Sequence, residues 1–455
     1  MLTHGMFVDG LTYASIARNM AENYGSFWRP YYTATAYPTF YEHPPLGFWL
    51  QSWMYRLCGD VVYLEALWGF VAGALILVGL GKVWRYNRPQ NSMLAGPWFP
   101  ILLFVIIPMT SWILSNNMLE NSMTVFIMAS VCFSLLSLKS SRKSLALFYG
   151  LLAGFNAFLA FLVKGPVSLF TLIIPLISII KREESITKIL LINFCVIVTF
   201  SFSLAIILVN NDDARYFIVQ YLRRQIIESI SGSRELSGSR LTIIFVVCRE
   251  MLVPLVFVVL LAGIIYKIKK TTVIYINYRL LLYYSCIALV SSVPIIISKK
   301  QMRWYAFPSF PFYALAISVV FNGAAMAMEK FILENKHIND YIKCFSAMIF
   351  VLSLLMMFLG KNYIGRYKEF YNDFSRQALH IEPREIISVY PEDLSHHWSL
   401  VANMQRHFKA SLVKDFGHKY LLSTTAYKTS NDIPSTYKLF HPENPEKYIV
   451  FSLGQ

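Results

Sequence analysis

"VVYLEALWGFVAGALILVGLGKVW", residues 61–84, carries one acid, Glu65, and one base, Lys82, and is otherwise uncharged. A helix rises 1.5 Å per residue, so about 20 apolar residues cross the hydrocarbon of a bilayer, and this stretch suffices. Nine more of the same character follow, at 97–114, 118–138, 145–163, 166–181, 188–210, 242–266, 275–297, 304–323 and 344–360. Ten spanning helices make the fold class an all-α polytopic membrane protein. Composition agrees: of 455 residues 56% are hydrophobic and 15% charged, with a mean hydropathy of +0.48, which excludes an ordinary soluble globular protein.

The net charge of +15 does not point to nucleic acid, because the cations are scattered over short loops and form no tract. The six cysteines stand singly, with no CxxC, and read as packing residues rather than disulfides or metal ligands. What the cations do specify is orientation. Lys82, Arg85 and Arg88; Lys139, Arg142 and Lys143; Lys181, Arg182 and Lys188; Lys267, Lys269, Lys270 and Arg279; and Lys330, Lys336 and Lys343 occupy every second loop. Basic loops stay cytoplasmic, so residues 1–60, the 114–117 turn, the 164 region, the 211–241 and 298–303 loops and the C-terminus are expected outside.

Two regions are not spans. Residues 1–60 form the first outer loop, where "DGLTYASIARNMAENYG" has the spacing of an amphipathic interfacial helix stopped by Gly25. From 361 onward 22 of 95 residues are charged against 45 of the first 360, which marks a domain boundary between a membrane domain, 1–360, and a small soluble domain, 361–455. In the latter "EIISVY", "KYLLSTTAY" and "KYIVFSL" read as strands around a helix near 398–415, an α/β module.

Ionisable residues gather at the outer mouths of the helices: Asp9 at the head of the first helix, Glu42 and His43 before Pro44 and Pro45, Glu120 in "SNNMLENSM", Lys164 in "LVKGPVS", Arg223 and Arg224 after "ARYFIVQYL", and Lys299, Lys300, Arg303 and Tyr305 in "SKKQMRWYAFP". Each alone has a plain reading. Asp9 could cap its helix, Glu120 could complement a helix dipole, Lys164 could snorkel, and the arginines could meet lipid headgroups. Their shared side favours a common site, since ionisable groups at membrane depth are costly. Three cations at 299–303 also oppose the bias of every other loop, so an anion is expected beside them.

The ordered run "VDGLTYASIARNMAENYGSFWRP", "FYEHPPLGFWLQSWMYRLCG", "NNMLENSMTVFIMAS", "FLVKGPVSL" and "SKKQMRWYAFPSFPFYALA" resembles the glycosyltransferase C superfamily, and within it the protein O-mannosyltransferases and bacterial lipid A aminoarabinose transferases. The likeness covers most of residues 1–325. It implies an integral membrane enzyme that passes a sugar from a polyprenyl-phosphate carrier to a hydroxyl acceptor (lipid A, protein or glycan) on the outer face of a bacterial inner membrane, with inversion. It implies Asp9 and Glu120 as the catalytic acids, and Glu42, His43, Lys164, Arg224, Lys299, Lys300, Arg303 and Tyr305 as substrate-binding residues. His43 stands where many relatives have Lys. Relatives also carry a spanning helix before the first acid, so one is expected upstream of Met1. No metal-ligand spacing stands out, although paired carboxylates could hold a divalent ion. A transporter or flippase of lipid-linked sugars is the rival reading; it calls for internal repeats and midplane charges, neither of which is evident. A non-catalytic scaffold is a further rival, for which Asp9 would be dispensable.

Overall fold

The computed structural model describes residues 5–61, 63–87, 94–228, 241–269, 276–297, 301–360, 363–376, 381–440 and 445–453. The chain opens with α1 (Val8–Ala21), a two-residue hairpin, β1 (Gly25–Ser26) and β2 (Arg29–Pro30), and α2 (Leu46–Cys58). Pro45 is the N-cap of α2, and the fixed φ of the Pro44–Pro45 pair delivers the chain into the first turn. There follow α3 (Leu64–Tyr86), α4 (Trp98–Val105), α5 (Pro108–Ser115), α6 (Leu119–Lys139) and α7 (Lys143–Lys164).

Among the described residues seven helices are long and apolar enough to cross a membrane, or nine if each of two bent pairs is one span. The stretch 97–114 is one such pair, α4 and α5, bent by 74°. Pro108 has no N–H with which to continue the helix. The N–H of Met109 instead donates to the Glu250 carboxylate at 2.9 Å. The stretch 304–323 belongs to the other pair, Arg303–Val320 with Asn322–Glu334, also bent by 74°.

The expected spans 145–163 and 166–181 form one uninterrupted helical run of 39 residues, Lys143–Lys181. The chain nevertheless turns at Gly165, which has a φ of 78°. Lys164 meets Glu120 at the start of α6, whereas the Lys181 ammonium donates to the Asn87 side chain at 2.7 Å, just past the end of α3. α3 and α6 run alongside each other in one direction, with the Cys132 thiol against the Gly79 carbonyl, so residues 165–181 return antiparallel to α7.

Helices Ile186–Asn210, Thr242–Ile268 and Lys336–Met356 leave most of their apolar surface uncovered by protein, including Phe194, Phe202, Phe245 and Phe350. Apolar area of that extent is stable only against lipid. The protein is an integral membrane protein.

At the C-terminus a short helix, Lys368–Arg376, precedes a five-stranded sheet in the order β4-β3-β5-β7-β6, formed by β3 (Ile386–Val389), β4 (Ser411–Val413), β5 (Tyr420–Thr424), β6 (Tyr437–Leu439) and β7 (Tyr448–Leu453). β4, β3 and β5 are parallel; β5, β7 and β6 are antiparallel. The three foreseen strands are β3, β5 and β7, the centre of the sheet. The edges β4 and β6 have three residues each, too few for a periodic signal. The helix expected to reach 415 ends at Phe408, where Lys409 takes a φ of 55°, and Ser411 already pairs with Ile386.

This C-terminal layer packs on α1 through helix Trp398–Phe408. α1 is therefore buried almost throughout Gly10–Met20, not presented on one face as an amphipathic surface helix would be. Arg18, 1% exposed, donates to the carbonyls of Arg406 (2.7 Å) and Gln405 (2.8 Å). Arg406 in turn pairs with Asp60 at 2.9 Å and Glu65 at 2.8 Å, and Glu65 also accepts from the Tyr55 hydroxyl at 2.6 Å. Lys409 and Arg384 both pair with Glu22, and Thr35 donates to the Leu412 carbonyl.

Candidate active site

Asp9 lies in the first turn of α1, whose N-cap is Phe7. Two asparagines of the α5–α6 turn fasten this end. The Asn116 side-chain oxygen accepts from the Phe7 N–H at 2.8 Å, and the Asn117 amide donates to the Gly10 carbonyl at 3.1 Å. Asn117 adopts φ 53°, a conformation asparagine tolerates better than most residues, and its oxygen accepts from Gln51 of α2 at 3.0 Å. Gly10 is required for the approach, because a Cβ there would collide with the Asn116 carbonyl. The turn that leads to Glu120 thus holds the helix that carries Asp9.

Asp9 lines a cavity of roughly 330 Å3 together with Glu42, His43 and Tyr305. Four of the residues singled out in the sequence, from three distant segments, therefore border one space. Its walls also include Thr12 and Tyr13 of α1, Tyr32, Tyr37 and Phe40 of the first loop, Gln225, and Trp398 from the C-terminal layer. The Tyr37 hydroxyl donates to Glu42 at 3.0 Å and fixes that carboxylate. His43 stands edge-on to the Tyr13 ring, with centroids 5.6 Å apart, and 6.3 Å from that of Phe40.

Behind Tyr13 and Tyr305 lies an ion pair. Glu120, 0% exposed, accepts from the Lys164 ammonium at 2.6 Å, and Lys164 is itself 6% exposed. The ammonium also lies 5.1 Å from the Tyr305 ring centroid, a cation–π distance. The second Glu120 oxygen is buried without a hydrogen bond. Burial, and then the carboxylates of Asp9 and Glu120, push the Tyr13 phenol well above its ordinary value, so it stays protonated at neutral pH. Gly165 admits the Tyr221 hydroxyl, which donates to the Lys164 carbonyl at 3.3 Å.

The remaining sequence candidates separate. Arg224 lies over the Tyr41 ring at 5.7 Å and does not line the cavity. Arg303 lines a different cavity. Lys299 and Lys300 lie outside the described residues. Tyr13 was legible in principle, since it follows Asp9 by one helical turn; Trp398, from a segment read as a separate domain, left no signal.

A divalent ion needs several oxygen ligands. Among the described residues no three His, Cys, Asp or Glu side chains converge, and Glu120 is committed to Lys164. These residues do not form a cage for such an ion.

No family model matches the chain, and neither does any curated protein sequence. Solved structures do. ArnT from Cupriavidus metallidurans bound to undecaprenyl phosphate aligns over 100% of this chain and 96% of its own, at 16% identity and a TM-score of 0.64. The same protein in the apo state aligns over 100% and 95%, at 16% identity and a TM-score of 0.61. An oligosaccharyltransferase from Archaeoglobus fulgidus, in a complex with Zn and sulfate, aligns over 93% and 64% at 13% identity, with a TM-score of 0.49 that carries no weight. This chain has the fold of ArnT.

Proposed function

We propose that this protein is a membrane glycosyltransferase that moves a sugar from a polyprenyl-phosphate carrier to a hydroxyl acceptor, at the outer face of a bacterial inner membrane. Residues 1–360 form its membrane domain and 361–455 an extracytoplasmic domain that closes one side of the site. The observation that carries this reading is the single cavity in which Asp9, Glu42, His43 and Tyr305 meet, with the Glu120–Lys164 pair behind it. The shared fold with a protein crystallised with undecaprenyl phosphate supports the carrier class.

In this reading Asp9 accepts the proton of the acceptor hydroxyl as its oxygen attacks the anomeric carbon. The bond from that carbon to the phosphate oxygen breaks, and the carrier phosphate leaves with the electron pair. A direct displacement of this kind inverts the anomeric centre. Charge gathering on the departing phosphate needs preorganised cations, for which His43, Lys164 and Arg224 are the nearest candidates. Glu120 is then a positioning residue that holds the Lys164 ammonium against the Tyr305 ring. Glu42, steadied by Tyr37, orients the substrate hydroxyls.

The test supplies purified protein with radiolabelled undecaprenyl-phosphate sugars and membrane extract. Label should reach an acceptor with the wild type and fall by roughly 10²–10⁴-fold in Asp9→Asn, the usual worth of a general base. Equal labelling by the two proteins would remove the assignment of Asp9.

A further inference from the structure

A second cavity, of about 670 Å3, is lined by Phe7 and Trp304, whose rings are 4.9 Å apart and whose chain neighbours Val8 and Tyr305 line the Asp9 cavity. We propose that this cavity, lined by Arg249, Arg303 and Arg366, binds the phosphate monoester of a lipid that reaches it sideways from the bilayer. Nothing in this inference depends on the transfer chemistry assigned to Asp9.

The three guanidiniums come from three separate segments. Arg249 pairs with Glu250 at 2.8 Å, and Glu250 is also held by the Met109 N–H. Arg366 donates to Asn116 at 2.7 Å and lies over the rings of Phe7 and Trp112, at 5.8 and 5.7 Å. Among the described residues the Arg303 side chain makes no ion pair or hydrogen bond. Glu250 offsets one of the three charges, which leaves a net of two. That suits a doubly charged monoester better than the single charge of a phosphodiester, and planar guanidiniums match phosphate oxygens in pairs. The indole N–H of Trp304 is buried without an acceptor and adds an unused donor to the same wall.

The direction of approach follows from what lines the opposite side. Leu252 and Val253 border the cavity and are exposed on the spanning helix Thr242–Ile268, so this side meets acyl chains. Arg249 lies seven residues into that helix, about 10 Å from its start, on an apolar helix where an arginine is costly and is kept beside an anion, here Glu250. Trp112 and Trp304, stacked with centroids 5.6 Å apart, are of the kind that favours the boundary between headgroups and chains. An amphiphile with a phosphate monoester at its head satisfies both sides. Two classes carry one: a polyprenyl monophosphate and a phosphorylated glycolipid. A polyprenyl-phosphate sugar is a diester and does not.

The full chain in nanodiscs would be titrated with undecaprenyl monophosphate and, separately, with monophosphoryl lipid A, with phosphatidylglycerol as the diester competitor and native mass spectrometry as the readout. Arg303→Gln removes no side-chain ion pair or hydrogen bond among the described residues, so its melting temperature should match the wild type. Arg303 does not line the Asp9 cavity, so its effect isolates this site. We expect Arg303→Gln to weaken one of the two monoesters at least tenfold, with Arg303→Glu weaker still, and an equal concentration of phosphatidylglycerol to displace neither. Loss of the prenyl probe would identify a site for the carrier, loss of the glycolipid probe a site for an acceptor-like lipid. Unchanged binding of both probes in Arg303→Glu, absence of binding to the wild type, or displacement by phosphatidylglycerol would each overturn the proposal.

Discussion

Arg406→Met should release the C-terminal layer from the membrane helices. The guanidinium is held at 2.8 Å from Glu65, which is 5% exposed, and at 2.9 Å from Asp60. Burial works against its charge, but Glu65, Tyr55 and Asp60 outweigh burial and raise the guanidinium above its already high ordinary value. With the folded value raised, this stabilisation is complete at any pH below the unfolded value and would be lost only as pH rose through the folded one, so acid should not loosen the contact from the arginine side. Methionine keeps most of the volume and strands the Glu65 carboxylate. Removing one member of a buried pair costs about 3–5 kcal/mol, and at about 1.4 kcal/mol per tenfold the undocked population should rise by roughly a hundred-fold to a few thousand-fold. Hydrogen exchange across Leu400–Met404 reads this directly, and limited proteolysis after Lys409 or Lys414 reads it independently. Adding Glu65→Gln removes the stranded charge and should recover on the order of 1–3 kcal/mol. Exchange within threefold of the wild type, or a double variant no better than Arg406→Met, would refute the reasoning. Since helix Trp398–Phe408 brings Trp398 to the cavity wall, transfer activity should fall together with docking.

Gly165→Ala forces a side chain onto a backbone at φ 78° and ψ −146°, a region that costs other residues about 1–3 kcal/mol, and drives its methyl into the Tyr221 hydroxyl. We expect a lower melting temperature in detergent and a loss of transfer, because Lys164 is the preceding residue. Burial lifts the Tyr371 phenol, which contacts His407 at 2.8 Å, to about 12. A raised value means that the neutral form is favoured by folding, so the stability is intact below pH 10 and is lost between about pH 10 and 12. At about 1.4 kcal/mol per unit this is roughly 2–3 kcal/mol. Circular dichroism with tyrosinate absorbance should show an alkaline transition that Tyr371→Phe flattens.

The sequence by itself determined the class of the protein and most of its inventory. Runs of some 20 apolar residues have no other stable environment than a bilayer, and the ionisable residues that interrupt the ends of those runs had to be sheltered somewhere. Asp9, Glu42, His43 and Tyr305 were legible for that reason, as were the three central strands, whose patterns are longer than a turn. The tertiary structure alone decided which of these groups share a space. Arg303 and Tyr305 are two residues apart in a 3-10 segment, where such neighbours point in different directions, and they line two different cavities. Trp398 reaches the Asp9 cavity only because Arg18 and Arg406 dock a distant helix onto α1. Helix periodicity reports what a residue needs around it. Which residue supplies that need depends on long-range packing and on turns such as those at Pro108 and Gly165, where local sequence permits a change of direction without fixing where the chain goes next.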